Sequence, residues 1–159
     1  MTALRETLLE WRERDQDLRR NSQDYSAWLE FDLAATAWLK LQIAARGWPD
    51  QVGDDGAAAA WLIAQHSPDL EFQKTCLELL RGLPESQSNA QQRAYLHDRI
   101  CIREGKPQRY GTQLRPRVHG DGWELFALED AEAVNLVRER IGLEPLEAYL
   151  LGFESSGSS

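Results

Sequence analysis

The chain has 159 residues, of which 42% are hydrophobic, so it is long and apolar enough for one domain with a real core. Its net charge of −8 argues against a general nucleic-acid binder, because affinity for a phosphate backbone comes from a surplus of Lys and Arg. No stretch reaches the roughly 20 apolar residues of a membrane-spanning helix, and residues 1–20 are charged throughout. We therefore expect a cytoplasmic protein with neither a membrane nor a nucleic acid as its partner.

Two long helices are predicted in the first third of the chain. The first covers about residues 3–20, with apolar side chains at helical spacing: Leu4, Leu8, Trp11 and Leu18. The other side of this helix is predicted to be polar, with Asp15, Gln16 and Arg19. A polar turn at residues 21–24 precedes the second helix, which extends to about residue 46 and is ended by Gly47 and Pro49.

Three more helices are predicted in the middle of the chain. Residues 56–66 are strongly apolar and indicate a short buried helix. The sequence Ser-Pro-Asp at residues 67–69 is a helix start signal with Ser67 as the cap, for a fourth helix that ends at Gly82. A polar loop then leads to a fifth helix at about residues 90–103.

The hydrophobic period changes in the C-terminal third of the chain. Residues 108–114 and 123–128 alternate and are rich in aromatic side chains, which predicts a β-hairpin at about residues 108–128. A sixth helix capped by Asp130 follows, and a short helix at residues 144–151 closes the fold.

The organisation of the chain favours one domain, because there is no internal repeat and no long interior linker. We expect this domain to cover residues 1–153 and a disordered Ser/Gly tail to occupy residues 154–159. The predicted fold class is mainly α: a single helical domain of five to seven helices with one small β-hairpin.

His66 is the centre of an enzymatic hypothesis, because an imidazole titrates near neutral pH and this one lies at the end of a buried helix. It would act as a general acid or base. Gln65 precedes it and Gln73 lies one turn into the next helix, so a tight corner between the helices could aim the three side chains into one space. The alternative is a histidine that caps the last carbonyls of its helix, beside amides that satisfy each other.

Asp98 and Arg99 form a second candidate group. The Arg99 guanidinium could grip a carboxylate or phosphate, and Asp98 could hold a donor in place. Between residues 99 and 118 there are six basic side chains and only one acid, Glu104. This pattern is more typical of a solvated face that balances acids elsewhere in the fold, and the alternative is a pocket that attracts an anionic small molecule or phosphate. Adjacent helical residues point about 100° apart, so one of the two could instead make a structural ion pair with the first helix.

The sequence Gln-Arg-Tyr-Gly-Thr-Gln at residues 108–113 is the densest polar stretch of the chain. Tyr110 could donate a proton or stabilise an oxyanion, and Gly111 permits positive φ or the close approach of a ligand. The expected substrate-binding side chains of this stretch are Gln108, Thr112 and Gln113. The alternative is a bulged strand whose polar side chains tie the hairpin to the helices.

Other site chemistries find little support in the residue spacing. Cys76 and Cys101 are expected to be free thiols, and the three histidines lack zinc-binding spacing, so we expect neither a metal ion nor a cofactor. Trp48 is included among the expected substrate-binding residues, although a tryptophan at a helix corner is more often a core or corner residue.

Polar and glycine-containing blocks follow one another over nearly the whole chain: Asp15-Gln16 with Arg19, Gly47-Trp48-Pro49, Val52-Gly53, Gln65-His66, Phe72-Gln73, Asp98-Arg99, Gln108 with Tyr110-Gly111-Thr112-Gln113, Glu129-Asp130, Arg138, Gly142-Leu143, Pro145-Leu146 and Tyr149. Together they resemble a bacterial family known as domain of unknown function 6624. Asn135 departs from the pattern, where the resemblance implies an acid. The family name carries no activity, so the resemblance indicates residues for study and implies no reaction.

The leading hypothesis is a small cofactor-independent enzyme that binds a polar or anionic small molecule. In it, His66 is the acid/base, Arg99 clamps the anion and Tyr110 completes the catalytic set, while the reaction class stays open between lyase, hydrolase and transferase. The alternative is a binding or interaction module, such as an immunity or regulatory protein with a basic protein partner. In that case the same polar residues form a fixed internal network.

Overall fold

The computed structural model describes residues 2–87 and 89–157, and its architecture is mainly helical. The described residues contain seven α-helices, one short 3₁₀ turn and a two-stranded antiparallel hairpin. This confirms the predicted fold class. The chain divides into two compact units, residues 1–88 and 89–159. None of the described helices is both long and apolar enough to cross a bilayer.

The first unit contains four helices and the 3₁₀ turn, with bounds close to those predicted. They are α1 (Thr2–Asn21), α2 (Tyr25–Arg46), α3 (Gly53–His66), α4 (Leu70–Arg81) and the turn Glu85–Gln87. Helix α3 packs against α1, α2 and α4. It begins three residues earlier than predicted, at Gly53, whose positive φ of 74° permits the sharp entry into the helix.

The core of the first unit forms around the small side chains of α3. Ala59, Ala60 and Ala64 are fully buried, and so are Leu8 on α1 and Leu39 on α2. Each buried leucine contributes about 1.5–3 kcal/mol through removal of its apolar surface from water. Because alanine has only a methyl side chain, it lets the neighbouring helices approach α3 closely.

The start of α4 differs from the prediction in which residue caps the helix. Asp69 is the N-cap, and its carboxylate accepts a hydrogen bond from the Phe72 N–H at 2.9 Å. Ser67 instead follows the end of α3, where its buried hydroxyl lies 2.8 Å from that of Thr36. The prediction of Ser67 as the cap was therefore wrong, because two candidate caps stand two residues apart and the buried contact to α2 engages the serine.

The second unit contains the remaining helices and the hairpin. They are α5 (Ala90–Arg103), β1 (Leu114–Pro116), β2 (Trp123–Leu125), α6 (Val134–Arg140) and α7 (Leu146–Gly157). The strands pair Leu114 with Leu125 and Pro116 with Trp123. The hairpin is confirmed, but its regular pairing is shorter than residues 108–128. Outside it, a single isolated bridge joins Gln108 to Leu128.

The C-terminal part of the chain also differs from its prediction. Helix α7 extends to Gly157, so Glu154, which was expected to begin a disordered tail, is helical. Ser158 and Ser159 lie outside the described residues. The expectation of a single domain stays a prediction.

Candidate functional site

His66 is the last residue of α3, and its side chain contacts α1. Its Nδ1 lies 2.9 Å from Oδ1 of Asp15. The side chain of His66 is 19% exposed and that of Asp15 is 7% exposed. A carboxylate can only accept a hydrogen bond, so the contact places a proton on Nδ1. In the neutral ring, Nε2 is then the nitrogen with the free lone pair, which is the arrangement that a general base requires.

Asp15 is held in place by three donors. Besides His66, the Gln16 side chain donates to Oδ2 at 2.7 Å, and Arg19 donates to Oδ1. Burial alone would raise the pKa of Asp15, but the hydrogen bond and charge of His66, with the charge of Arg19 and the Gln16 amide, together lower it below its ordinary value of 3.8. Asp15 therefore stays ionised beside the imidazole.

Arg19 bridges two carboxylates. One guanidinium nitrogen contacts Asp15, and the other donates to Oδ2 of Asp32 on α2 at 2.8 Å. The guanidinium also lies 5.2 Å from the ring centroid of Trp28, within the range of a cation–π contact. Burial raises the pKa of Asp32, and Arg19 partly offsets this. The four charged or titratable groups Asp15, Arg19, Asp32 and His66 are hereafter called the His66 cluster.

The residue types of the His66 cluster could also hold a metal ion. Ligand atoms of Asp15, Asp32 and His66 all lie within 4.8 Å of one another, and carboxylates with an imidazole suit several divalent metals. Arg19 already supplies positive charge to both carboxylates, so a metal ion here would have to displace or tolerate a guanidinium. The ion pairs of Arg19 therefore disfavour a metal ion in this arrangement of the cluster.

Spacing along the helices could have identified the two acids. On α1, Asp15 falls at the centre of the apolar stripe made by Leu4, Leu8, Trp11 and Leu18, and not on the polar side to which it was assigned. On α2, Asp32 has the same relation to Ala35 and Leu39. An acid within an apolar stripe is a signal of a buried, partnered carboxylate.

Gln73 supports the corner between α3 and α4. Its side-chain amide donates to the carbonyls of Ala64 and Gln65 at 3.0 Å each, and the residue is fully buried. These bonds satisfy carbonyls in the last turn of α3 and so fix the place where His66 leaves the helix. Gln65 is also buried. A ligand-binding role for either glutamine stays a prediction.

Trp48 lies in the connection between α2 and α3. It is buried and lines a small cavity of about 180 Å³ together with Val52 and Leu83. Polar side chains also line this cavity, among them Asp50, Gln51 and Gln87. The predicted part of Trp48 in substrate binding stays a prediction.

Asp98 is fully buried on α5 of the second unit, and it binds the polar loop of residues 108–113. It accepts hydrogen bonds from the backbone N–H groups of Arg109 at 2.9 Å, Tyr110 at 3.2 Å and Thr112 at 3.1 Å. The Thr112 hydroxyl adds a fourth bond at 2.9 Å. This carboxylate therefore occupies the anion-binding position that the loop itself forms.

Gln108 closes the same loop from within. Its side-chain nitrogen donates to the carbonyls of Gln113 and Phe126 at 3.0 Å, and its oxygen accepts the Gln113 N–H at 2.9 Å. The Gln113 side chain donates in turn to the Thr112 hydroxyl at 3.0 Å. The Gln108 side chain thus makes hydrogen bonds that a neighbouring strand would otherwise make with this segment. Residues 108–113 therefore satisfy their backbone groups without regular strand pairing.

Arg138 and Tyr149, which the predicted site omitted, donate hydrogen bonds to backbone carbonyls of the loop. Arg138 is buried and donates to the carbonyls of Tyr110 at 2.8 Å and Glu144 at 2.7 Å, and the Tyr149 hydroxyl donates to the Thr112 carbonyl at 2.8 Å. Burial raises the pKa of Tyr149 above its ordinary value, so the hydroxyl keeps the proton that it donates. The resemblance had pointed to both residues.

The three predicted catalytic residues belong to different units. His66 lies in the first, and Arg99 and Tyr110 lie in the second. Tyr110 is half-buried, with its ring edge-on to His97 at 5.9 Å, and Arg99 is half-buried on α5. Their convergence with His66 on one ligand stays a prediction.

Comparison with known proteins gives one match. The model of a family described as "Family of unknown function (DUF6624)" matches residues 4–157, which is nearly the whole chain. No curated protein and no solved structure matches it.

Proposed function

This chain belongs to the DUF6624 family of unknown function, and we propose that it is a small cofactor-independent enzyme whose general acid/base is His66. The observation that carries the proposal is the 2.9 Å contact between His66 Nδ1 and Asp15 Oδ1. A buried carboxylate that orients an imidazole and stabilises its protonated form is the arrangement by which proteins turn histidine into a catalytic base. Asp15 is therefore added to the proposed catalytic residues.

The partial exposure of His66 supports a catalytic role over a purely structural one. Its side chain is 19% exposed whereas that of Asp15 is 7% exposed, so Asp15 lies in the interior and the His66 imidazole reaches the surface. A histidine that served only to cap α3 would be expected to contact the helix carbonyls, and this one contacts an acid on another helix. The substrate we propose is a polar or anionic small molecule.

The test begins with a search for a ligand. The wild-type protein is screened against a library of polar metabolites by thermal shift, because a ligand that binds only the folded state raises the melting temperature. Compounds that stabilise the protein are then assayed for turnover with His66→Gln and Asp15→Asn. We expect each variant to lose about 10²–10⁴-fold in kcat, as removal of a general base does.

His119→Gln is the matched control, because His119 is an exposed histidine of the hairpin loop, outside the His66 cluster. It should retain wild-type turnover. If His66→Gln turns over an identified substrate at the wild-type rate while remaining folded, the enzymatic proposal is wrong.

A second candidate function is a binding module with a basic protein partner. It is favoured by the second unit, where Asp98, Gln108, Thr112 and Gln113 are buried and bonded to each other and to the backbone. Under this proposal no library compound stabilises the wild-type protein, a purified basic partner binds it stoichiometrically, and His66→Gln leaves that binding unchanged.

A further inference from the structure

Charged groups from two helices face His66 at the end of a third. Helix α1 contributes Asp15 and Arg19, and α2 contributes Asp32. Helix α4 also packs against α3, but its contact near His66 is the uncharged amide of Gln73. With Arg19 counted, the side chains around a neutral imidazole in this unit sum to one negative charge; without Arg19 they would sum to two.

Two carboxylates this close to an imidazole favour its protonated form, because an opposite charge within about 4–6 Å stabilises a cation. A base that already carries its proton cannot accept another. We propose that Arg19 is a positioning residue that offsets part of the negative charge of Asp15 and Asp32, so that the two carboxylates do not trap a proton on His66. The inference deepens the proposed function and rests on it for its meaning, because only a catalytic imidazole needs to stay available as a base.

The geometry of Arg19 fits this role in a way that lysine could not match. A guanidinium is a planar fork, and here its two terminal nitrogens contact two different carboxylates. Arg19 and His66 both donate to the same oxygen, Oδ1 of Asp15, so the two donors share one acceptor. A lysine ammonium is a compact charge that would approach one carboxylate closely and leave the other short of a partner.

Arg19 is also already bound to other groups of the protein, so we do not assign it to a ligand. Its nitrogens are engaged by two acids and its face by Trp28, and its side chain is 21% exposed. A substrate anion would therefore find this guanidinium already neutralised. An anionic substrate at His66 therefore needs a cationic partner other than Arg19.

The experiment is an NMR titration of the histidine rings in the full-length protein, with His66→Gln used to assign the His66 signal. Arg19→Gln should move the titration midpoint of His66 upward by about one pH unit, because it removes a nearby positive charge. Asp32→Asn should move it downward, because it removes a negative charge and leaves Arg19 less neutralised. Arg19→Lys should restore only part of the wild-type midpoint.

Arg20→Gln is the matched control. Arg20 is the next residue of α1 and pairs with the exposed Asp17, so its loss should leave the His66 midpoint unchanged. If Arg19 has only a structural role, Arg19→Gln lowers stability without moving the midpoint, and this result would overturn the inference. Should Arg19→Gln not fold, the downward shift in Asp32→Asn decides, since an unchanged midpoint there also contradicts it.

The outcomes separate this inference from the proposed function. If the midpoints move as expected but His66→Gln keeps full turnover, the charge balance is real and the enzymatic proposal fails. If His66→Gln and Asp15→Asn abolish turnover but the midpoints do not move, the enzyme stands and Arg19 has another role.

Discussion

Among the individual residues of the second unit, the Asp98 carboxylate is the group whose burial requires the most compensation. It is fully buried, and backbone N–H groups and a hydroxyl compensate its charge through hydrogen bonds. Asp98→Asn replaces an acceptor oxygen by an amide nitrogen that cannot accept from those N–H groups. We expect a loss of about 3 kcal/mol in the free energy of unfolding, measured by urea denaturation, because buried donors lose their partner.

Asp130→Asn is the control for this substitution. Asp130 accepts hydrogen bonds from two backbone N–H groups at an exposed turn, where asparagine is as good an acceptor and water can replace what is lost. Its variant should stay within about 1 kcal/mol of the wild type. Equal losses in the two variants would contradict the account of Asp98 as a buried anion.

Asp15 gives a pH dependence whose direction follows from its environment. Because its folded-state pKa lies below the ordinary 3.8, the ionised carboxylate stabilises the fold above that value, and this contribution disappears as the pH falls through the lower folded-state pKa. Asp32 acts in the opposite sense, since its folded-state pKa is raised by burial.

The comparison of the wild type with Asp15→Asn isolates this effect. The difference in their free energies of unfolding should be largest above about pH 5 and shrink toward about pH 2, as measured by denaturation at a series of pH values. A difference that stays constant over this range would mean that Asp15 does not act through its charge.

At the scale of elements, the loop of residues 108–113 depends on close packing at Gly111. This residue has a φ of +68°, and a Cβ there would lie 3.1 Å from Leu146 and 3.4 Å from Leu128. Gly105 has a similar φ of +73° but open space around it. The two glycines therefore separate backbone strain from steric overlap.

We expect Gly105→Ala to destabilise the protein by about 1 kcal/mol, the cost of placing an L-residue in the left-handed region. Gly111→Ala should cost roughly 3 kcal/mol, because it adds overpacking against the two leucines. Chemical denaturation of both variants measures the difference. If the two losses are equal, the close approach around Gly111 has no energetic weight.

Among the helices, local sequence signals were enough to locate most ends. Helix α5 has its predicted bounds, because Asn89 caps its start and the apolar period ends at Arg103. The start of α4 was harder, since Ser67 and Asp69 are both good capping residues. The contact of Ser67 with Thr36 joins residues 31 positions apart, and no local signal contains it.

At the scale of the whole molecule, the net charge of −8 leads to a prediction about nucleic acid. Two of the six basic residues between positions 99 and 118 are paired with acids, Arg115 with Glu124 and Lys106 with Glu104. Fluorescence anisotropy with a labelled duplex of about 20 base pairs, at roughly 0.15 M salt, should give no saturation up to about 10⁻⁴ M protein. Micromolar binding with a steep salt dependence would refute this.

The amino-acid sequence alone was enough to predict the helices, the hairpin and the type of most residues in the core. These features are local, because the period of apolar residues and the capping side chains act within one element. It also identified His66, Asp98 and the loop of residues 108–113 as notable, since polar groups cluster there. It left open whether each of them faces a ligand or the protein interior.

The partners of those polar groups depend on contacts between elements that no local sequence pattern contains. Asp15 and Asp32 lie on apolar stripes of two helices, and their burial is tolerable because Arg19 and His66 meet them there. Asp98 likewise accepts hydrogen bonds from the N–H groups of the loop that follows its helix. Burying a charge is favourable only where other elements bring a compensating group, and that depends on how helices pack rather than on any local stretch of sequence.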